Sequence, residues 1–174
     1  RGQCSPGAAR ISGMKNFKCG VEYDGTHYCG FQKQRSEKTI QGELETALKR
    51  ITGQPTKVNG AGRTDSGVHA YGQVISFETE AKRLPDDLRR ALNAVLPKDI
   101  IIRSAEAAAA AFHARKSAQR KVYSYRILLG KYVPVSLRRY VYHYRQGLET
   151  GLMREAALHL LGRRDFRAFA AADP

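Results

Sequence analysis

A polar stretch with two glycines, Gly62–Ala70 (GRTDSGVHA), lies between two segments with the character of β-strands and constrains the fold more than any other feature. A short strand is expected near residues 56–60, and a second at Val74–Phe77, which contains β-branched and aromatic residues. Glycines permit tight turns and a close approach of the backbone to a ligand. We therefore expect Asp65 to lie on a loop at the end of a sheet, where a rigid scaffold can present a reactive group.

The central residue of this stretch, Asp65, carries chemistry beyond that of a turn. The hydroxyls of Thr64 and Ser66 can hydrogen-bond its carboxylate, and on an extended segment Arg63 would point the same way. A neighbouring guanidinium favours the ionised acid, which can act as a nucleophile, a base or a metal ligand. The alternative is a polar turn with an Asx hydrogen bond and a surface ion pair, and the spacing alone leaves both open.

The chain before the short strand near residues 56–60 contains one strand pattern and one helix pattern. Apolar and polar residues alternate over Phe17–Tyr23, which predicts a strand. Apolar residues then recur at helical spacing from Thr39 to about Thr52, with Thr39 placed to cap the start of the helix and Gly53 its end. We expect this helix to bury one face against a sheet.

The chain after the stretch forms a second strand–helix–strand unit, which begins with the strand at Val74–Phe77. A second helix is expected to begin near Pro85 and to stop before Pro97, and Ile100–Ile102 suits a buried strand. Short connections between these elements predict an α+β fold, with a mixed or antiparallel sheet and helices packed on one face. Because no glycine-rich phosphate loop follows a strand, no nucleotide cofactor is indicated.

Towards the end of the chain the patterns are weaker. The alanine-rich run Glu106–Ala111 could form one helical turn. Tyr123 and Tyr125 would share one face of a strand near residues 121–128. A third helix is expected over Thr150–Leu161, with Thr150 as its N-cap.

The charge of the chain points to a polyanionic partner. There are 30 Lys and Arg residues against 16 Asp and Glu, a formal net charge of +14, while 42% hydrophobic residues are enough for a packed core. Nucleic acid is the first candidate partner. Lys33, Arg35, Arg115 and Lys116 lie in basic runs and are candidates for phosphate contacts, the alternative being merely solvated basic loops.

The cysteines and the apolar runs bear on the compartment. Cys4, Cys19 and Cys29 are odd in number and lack metal-ligand spacing, so a disulfide framework is not expected, which suits a reducing cytoplasm. Cys19 is interpreted as a small core residue of a strand. No apolar run approaches the length that spans a membrane, and the first thirteen residues lack the apolar core of a signal peptide.

The stretch AGRTDSGVHA resembles the (A/S)GRTDxGVHA motif of the TruA family of tRNA pseudouridine synthases. Three further stretches agree in the same order, and a late GRRDFRAF resembles the family's G-x-x-D-F-x-x-F. The three agreeing stretches are EYDGTHYCGFQ at residues 22–32, FHAR at 112–115 and YSY at 123–125. The resemblance extends over about residues 15 to 174.

This resemblance implies a function and roles for particular residues. It implies a ferredoxin-like pseudouridine synthase half and the isomerisation of uridine to pseudouridine in the tRNA anticodon stem-loop, at positions 38 to 40. Asp65 would be the catalytic carboxylate, Arg63 would pair with phosphate or fill the space left by the flipped base, and Tyr123 would hold the uracil ring. The resemblance implies no metal or organic cofactor, and it implies a homodimer for the full-length protein.

The same resemblance suggests how the chain is divided. Residues 1–13 would be a disordered or non-native tail, 14–112 an N-terminal α/β domain carrying the catalytic loop, and 113–174 the beginning of a C-terminal domain that continues in the family. Such a chain on its own is expected to bind tRNA weakly and to form no pseudouridine. The alternative function is therefore a non-catalytic, basic RNA-binding fragment of such an enzyme.

Overall fold

The structure is a computed structural model that describes residues 13–80 and 82–169. It divides into two compact units, the first running to Lys121 and the second beginning at Val122. Residues 1–12, most of the expected tail, lie outside the described residues. The domain boundary expected at residue 112 stays a prediction, and each unit is described by itself.

The first unit contains a four-stranded sheet and two helices. Their bounds are β1 Lys15–Tyr23, α1 Ile40–Thr52, β2 Asn59–Gly60, β3 Ala70–Thr79, α2 Pro85–Val95 and β4 Ile100–Ala108. The strand order is β2-β3-β1-β4, and every neighbouring pair is antiparallel. Together with the helices, this confirms the predicted α+β fold and identifies the sheet as antiparallel.

The core of this unit lies between the helices and one face of the sheet. Alternate residues of β1, from Phe17 to Tyr23, are buried and join the same apolar cluster as Leu44 of α1 and Leu88 of α2. Each fully buried side chain of this size contributes roughly 1.5–3 kcal/mol relative to an exposed one. Cys19 is completely buried, and this burial raises the pKa of its thiol to about 12. Its predicted role as a small core residue is confirmed.

The ends of α1 follow the predicted caps. The hydroxyl of Thr39 accepts a hydrogen bond from the backbone N–H of Gly42 at 3.2 Å. Gly53 has φ of 78°, and its N–H donates to the carbonyl of Lys49. A left-handed residue at this position suits glycine because it lacks a Cβ atom. The two caps therefore fix where α1 begins and ends, and Leu44 lies on its buried face.

Two strands are longer than the sequence predicted. β4 continues to Ala108, because its alanine-rich end pairs with β1, where Asn16 faces Ala108. The expected helical turn at 106–111 is therefore wrong, since cross-strand pairing overrides the helix propensity of alanine. β3 begins at Ala70, four residues before the predicted strand, and so starts at the last residue of the polar stretch.

The second unit has less regular structure than predicted. It contains β5 Ile127–Leu129 and β6 Tyr142–Tyr144, which pair in parallel, and α3 Thr150–Leu158. The strand expected near 121–128 is wrong up to residue 125, because no described strand of the second unit pairs with residues 122–125, and a lone strand is not stable. The Arg126 carbonyl accepts from the Tyr142 N–H at 2.7 Å, and β5 begins at the next residue. Thr150 is the first residue of α3 rather than its N-cap, so its predicted capping role is also wrong.

Candidate active site

The polar stretch forms a loop at the end of the sheet, as predicted. β2 pairs with β3 through Gly60 and Ile75, so residues 61–69 make the connection between two adjacent strands. We call these residues the signature loop. Asp65 lies at its centre, and the N–H of Val68 donates to the Asp65 carbonyl at 3.2 Å in a turn.

A second segment, residues 24–31, packs against the signature loop and is called the supporting segment. Its Phe31 N–H donates to the carbonyl of Thr64 at 2.9 Å. In the other direction, the N–H of Gly67 donates to the carbonyl of Tyr28 at 3.2 Å. These two bonds lie on either side of Asp65 in the sequence, so the backbone that carries its carboxylate is held at both ends.

The close packing of the two segments depends on glycines. A Cβ atom on Gly25 would lie 2.0 Å from the carbonyl oxygen of Val68. A Cβ atom on Gly30 would lie 2.7 Å from the carbonyl oxygen of Thr64, and Gly30 has φ of 84°. No other residue fits either position without moving the backbone. The glycines of the supporting segment are therefore a requirement of the site.

Asp24, at the start of the supporting segment, has a structural role. Its carboxylate accepts from the Thr26 N–H at 2.9 Å and caps the short 3₁₀ helix Gly25–His27. His69 Nδ1 lies 3.0 Å from the same carboxylate oxygen and 3.2 Å from the Gly25 nitrogen. Protonated Nδ1 would donate to Asp24, and unprotonated Nδ1 would accept from Gly25. Either state fastens the end of the signature loop to the supporting segment.

The Asp65 side chain is exposed and faces an open cleft of about 490 Å³. The cleft is lined by Cys29, Gln32, Gln34, Glu37, Arg63, Thr64, Asp65 and Ser66. Within the described residues, no hydrogen bond or ion pair engages the Asp65 carboxylate, and none engages Arg63. The expected Arg63–Asp65 ion pair is not formed among the described residues; a turn centred on Ser66 and Gly67 follows Asp65 directly. Both side chains are available to a ligand.

The cleft contains residues that sequence reasoning missed. The Cys29 thiol donates to Glu37 Oε2 at 3.2 Å, and this hydrogen bond raises the pKa of the thiol. Gln34 Nε2 donates to the Cys29 carbonyl at 3.1 Å. Glu37 and Gln34 belong to a loop that the sequence identified only by its basic residues. These residues lie about thirty positions before the signature loop in the sequence. Only the fold brings them next to it, so no local sequence pattern indicates their position.

The predicted basic residues are distributed around this unit rather than gathered in the cleft. Lys33 Nζ forms an ion pair with Glu45 at 2.9 Å, and Arg35 is exposed on the same loop. Arg115 is exposed, and its N–H donates to His113 Nδ1 at 3.2 Å. None of Lys33, Arg35 and Arg115 lines the cleft.

Lys121 is the basic residue that does reach the signature loop. A Cβ atom on Gly62 would lie 3.3 Å from Lys121 Nζ and 3.4 Å from its Cε. A positive charge is thus held beside the loop within the first unit. Tyr123 lies two residues further on, in the second unit, where its side chain is 68% exposed.

Two further observations bear on the kind of site. Among residues 13–80 and 82–169, no group of three or more His, Cys, Asp or Glu side chains is arranged to hold a metal ion. In the same part of the chain, no helix is long and apolar enough to cross a membrane.

Comparisons with known proteins agree on one family. A family model described as tRNA pseudouridine synthase matches residues 20–115. Over 159 residues the chain is 45% identical to "tRNA pseudouridine synthase A" of Geobacillus sp. (strain WCH70), covering 91% of this chain and 64% of that protein. The protein of the same name from Caldicellulosiruptor bescii is 45% identical over 160 residues, with coverage of 92% and 66%. That from Halalkalibacterium halodurans is 46% identical over 160 residues, with coverage of 91% and 61%.

The chain therefore spans less than two thirds of the length of these curated relatives. The matched region contains the signature loop, the supporting segment and the strands that position both. On the strength of this match and of the relatives' identity, the chain belongs to the TruA family of tRNA pseudouridine synthases.

Proposed function

We propose that the whole protein containing this chain isomerises uridine to pseudouridine in tRNA, in the anticodon stem-loop at positions 38 to 40. The proposal is supported by the family match and by the name of the relatives, "tRNA pseudouridine synthase A". The single observation that carries it is the Asp65 carboxylate, which lines an open cleft and has no partner among residues 13–80 and 82–169, while its backbone is hydrogen-bonded on both sides.

The reaction needs one well-placed carboxylate. The bond between uracil N1 and ribose C1′ breaks, the base turns, and a new bond joins C5 to C1′. The hydrogen on C5 is lost as a proton and N1 gains one, so the product has the same atoms as the substrate. An ionised Asp65 can attack the sugar or the base, or it can remove a proton from C2′, and each route needs a carboxylate close to the uridine.

Other side chains would bind the RNA. Arg63, which lines the cleft beside Asp65, would pair with a phosphate or fill the space left when the uridine leaves the stack. Tyr123 would stack on the uracil ring. Lys33, Arg35 and Arg115 would contact phosphates, and Lys33 would do so only in competition with Glu45. A cytoplasmic homodimer belongs to the same proposal.

Replacement of Asp65 by asparagine tests the proposal. Asp65→Asn keeps the size of the side chain but removes its charge, so we expect pseudouridine formation by the whole protein to be lost while tRNA affinity stays within about a few-fold. The measurement is a pseudouridine assay on tRNA transcripts together with a binding titration. Substantial turnover by Asp65→Asn would show that another group performs the chemistry.

The 174-residue chain should be assayed beside the whole protein. Binding without turnover by the chain alone would support the RNA-binding role for this part of the protein. Equal turnover by both would show that residues 1–174 hold every group that the reaction needs.

A further inference from the structure

Two polar side chains face the signature loop from inside the sheet. Tyr23, at the end of β1, is 3% exposed, and its hydroxyl lies 2.8 Å from Thr64 Oγ1. Gln73, on β3, donates from Nε2 to the carbonyl of Gly62 at 2.7 Å. Both hydrogen bonds reach the part of the loop that leads into Asp65.

These contacts form one connected group. Burial raises the pKa of the Tyr23 phenol, against hydrogen bonds from Thr64 and Gln73 that lower it, so the phenol is protonated at neutral pH. Both hydrogen bonds are partly buried, so breaking one of them leaves polar groups that water solvates incompletely. Phe31 also packs against Tyr23, with ring centroids 6.3 Å apart, while its N–H holds the Thr64 carbonyl.

The fixed position of Asp65 must come from its neighbours. Its own carboxylate has no partner within the described residues, so the backbone is what fixes the position of its Cα atom and the direction of its Cα–Cβ bond. The residue immediately before it, Thr64, is held twice: at its carbonyl by Phe31 and at its hydroxyl by Tyr23. Misplacement of a reacting group by about 1 Å can cost about a hundredfold in rate.

We propose that Tyr23 and Gln73 are positioning residues for the reaction, acting through Thr64 and Gly62 to hold the Asp65 carboxylate at the reacting atoms. This inference rests on the proposed function. Neither residue lines the cleft, so neither contacts the uridine directly. Their effect should therefore fall on the chemical step and leave tRNA binding intact.

The first test removes one oxygen atom. Tyr23→Phe keeps the ring and its packing but loses the bond to Thr64. In the whole protein we expect a single-turnover rate about tenfold lower at saturating enzyme, with the Kd for tRNA within about twofold. Ile102→Val, a buried change on β4 outside the site, serves as the control for stability: it should lower Tm by a few degrees and leave the rate unchanged.

The second test asks whether the hydroxyl of Thr64 is the link. Thr64→Val should slow single turnover as much as Tyr23→Phe does, and adding the second change to the first should cost little more. Thr64→Ser keeps the hydroxyl and should recover most of the lost rate. Full additivity of the two changes would overturn the inference, because it would mean that they act separately.

A third measurement does not depend on activity. Amide hydrogen exchange at residues 63–66 should be several-fold faster in Tyr23→Phe than in the wild type, and unchanged in Ile102→Val. If the wild-type protein is active, unchanged exchange or an unchanged rate in Tyr23→Phe would overturn the positioning role and leave the proposed function in place. Absence of turnover by the wild-type whole protein would overturn the proposed function, and the positioning role with it.

Discussion

At the scale of single residues, the site separates a reactive group from the groups that hold it. Asp65 has no side-chain partner in the described part of the chain, whereas the residues on both sides of it are hydrogen-bonded to the supporting segment. A carboxylate free of internal partners needs no bond broken before it meets a substrate. The backbone contacts of Thr64 and Gly67 order the main chain at Asp65 during folding, so less entropy is lost when the substrate binds.

Cys29 offers a prediction about pH at the same scale. Its hydrogen bond to Glu37 raises the pKa of the thiol, so the reactive thiolate forms only at higher pH than in an ordinary cysteine. In a Cys4→Ser background we expect slow alkylation by iodoacetamide at pH 8, with the rate rising further as the pH increases. Glu37→Gln removes the charge and should move the midpoint of that rise to lower pH.

The control for this experiment is Glu78→Gln, which removes the same charge from an exposed position on β3. It should leave the pH profile of alkylation unchanged. Equal profiles for the wild type and Glu37→Gln would contradict the contact. Buried Cys19, with its pKa raised to about 12, should not interfere in the folded chain.

At the scale of elements, α1 offers the clearest test of a predicted feature. Thr39→Ala removes the hydroxyl that accepts from Gly42, and we expect the free energy of unfolding to fall by about 1 kcal/mol. The measurement is urea unfolding of the chain followed by circular dichroism. Thr46→Ala removes the same atoms from an exposed position inside the helix and should change the free energy by less than about 0.5 kcal/mol. Equal losses in both variants would show that the cap is not what stabilises the start of α1.

Elements with local signals were predictable, and those that depend on distant partners were not. α1 carries its cap, its periodicity and its terminal glycine within fifteen residues, and it forms as predicted. The tyrosine-rich segment before β5 has strand propensity, but in the described part of its unit it finds no strand to pair with. The alanine-rich end of β4 shows the reverse case, since pairing with β1 makes a strand of residues that prefer a helix.

The candidate site also has one part that local sequence patterns predict and another that depends on distant contacts. The position of Asp65 was predictable because strand patterns flank the signature loop on both sides. The contact between Tyr23 and Thr64 was not, because it joins residues 41 positions apart, and each of them looks ordinary in its own surroundings. The Arg63–Asp65 pair was predicted from the alternation of an extended strand, but residues 63–65 belong to no described strand and the pair is not formed.

At the scale of the whole molecule, the net charge is not spread evenly. Several carboxylates of the described residues are already in ion pairs: Glu22 with Arg103, Glu45 with Lys33, Glu106 with Lys18, and Asp165 with Arg167. The segment 115–121 (RKSAQRK), in contrast, contains four cations and no carboxylate. It is exposed, and its last residue, Lys121, lies beside Gly62 of the signature loop. A polyanion bound along this segment would be led to the cleft of Asp65.

This arrangement predicts tRNA binding that weakens steeply with salt, since each neutralised phosphate releases counterions. The double change Arg115→Gln and Lys116→Gln should weaken binding and reduce the slope of log K against log salt concentration by about 2. The matched control is Lys49→Gln with Arg50→Gln, which removes two exposed charges from the last turn of α1 and should leave the slope within about 0.5 of the wild type. Titration of fluorescent tRNA at several salt concentrations gives both slopes. Equal affinity at low and high salt would remove the electrostatic account, and an equal loss in the control would show that net charge matters but that segment 115–121 does not.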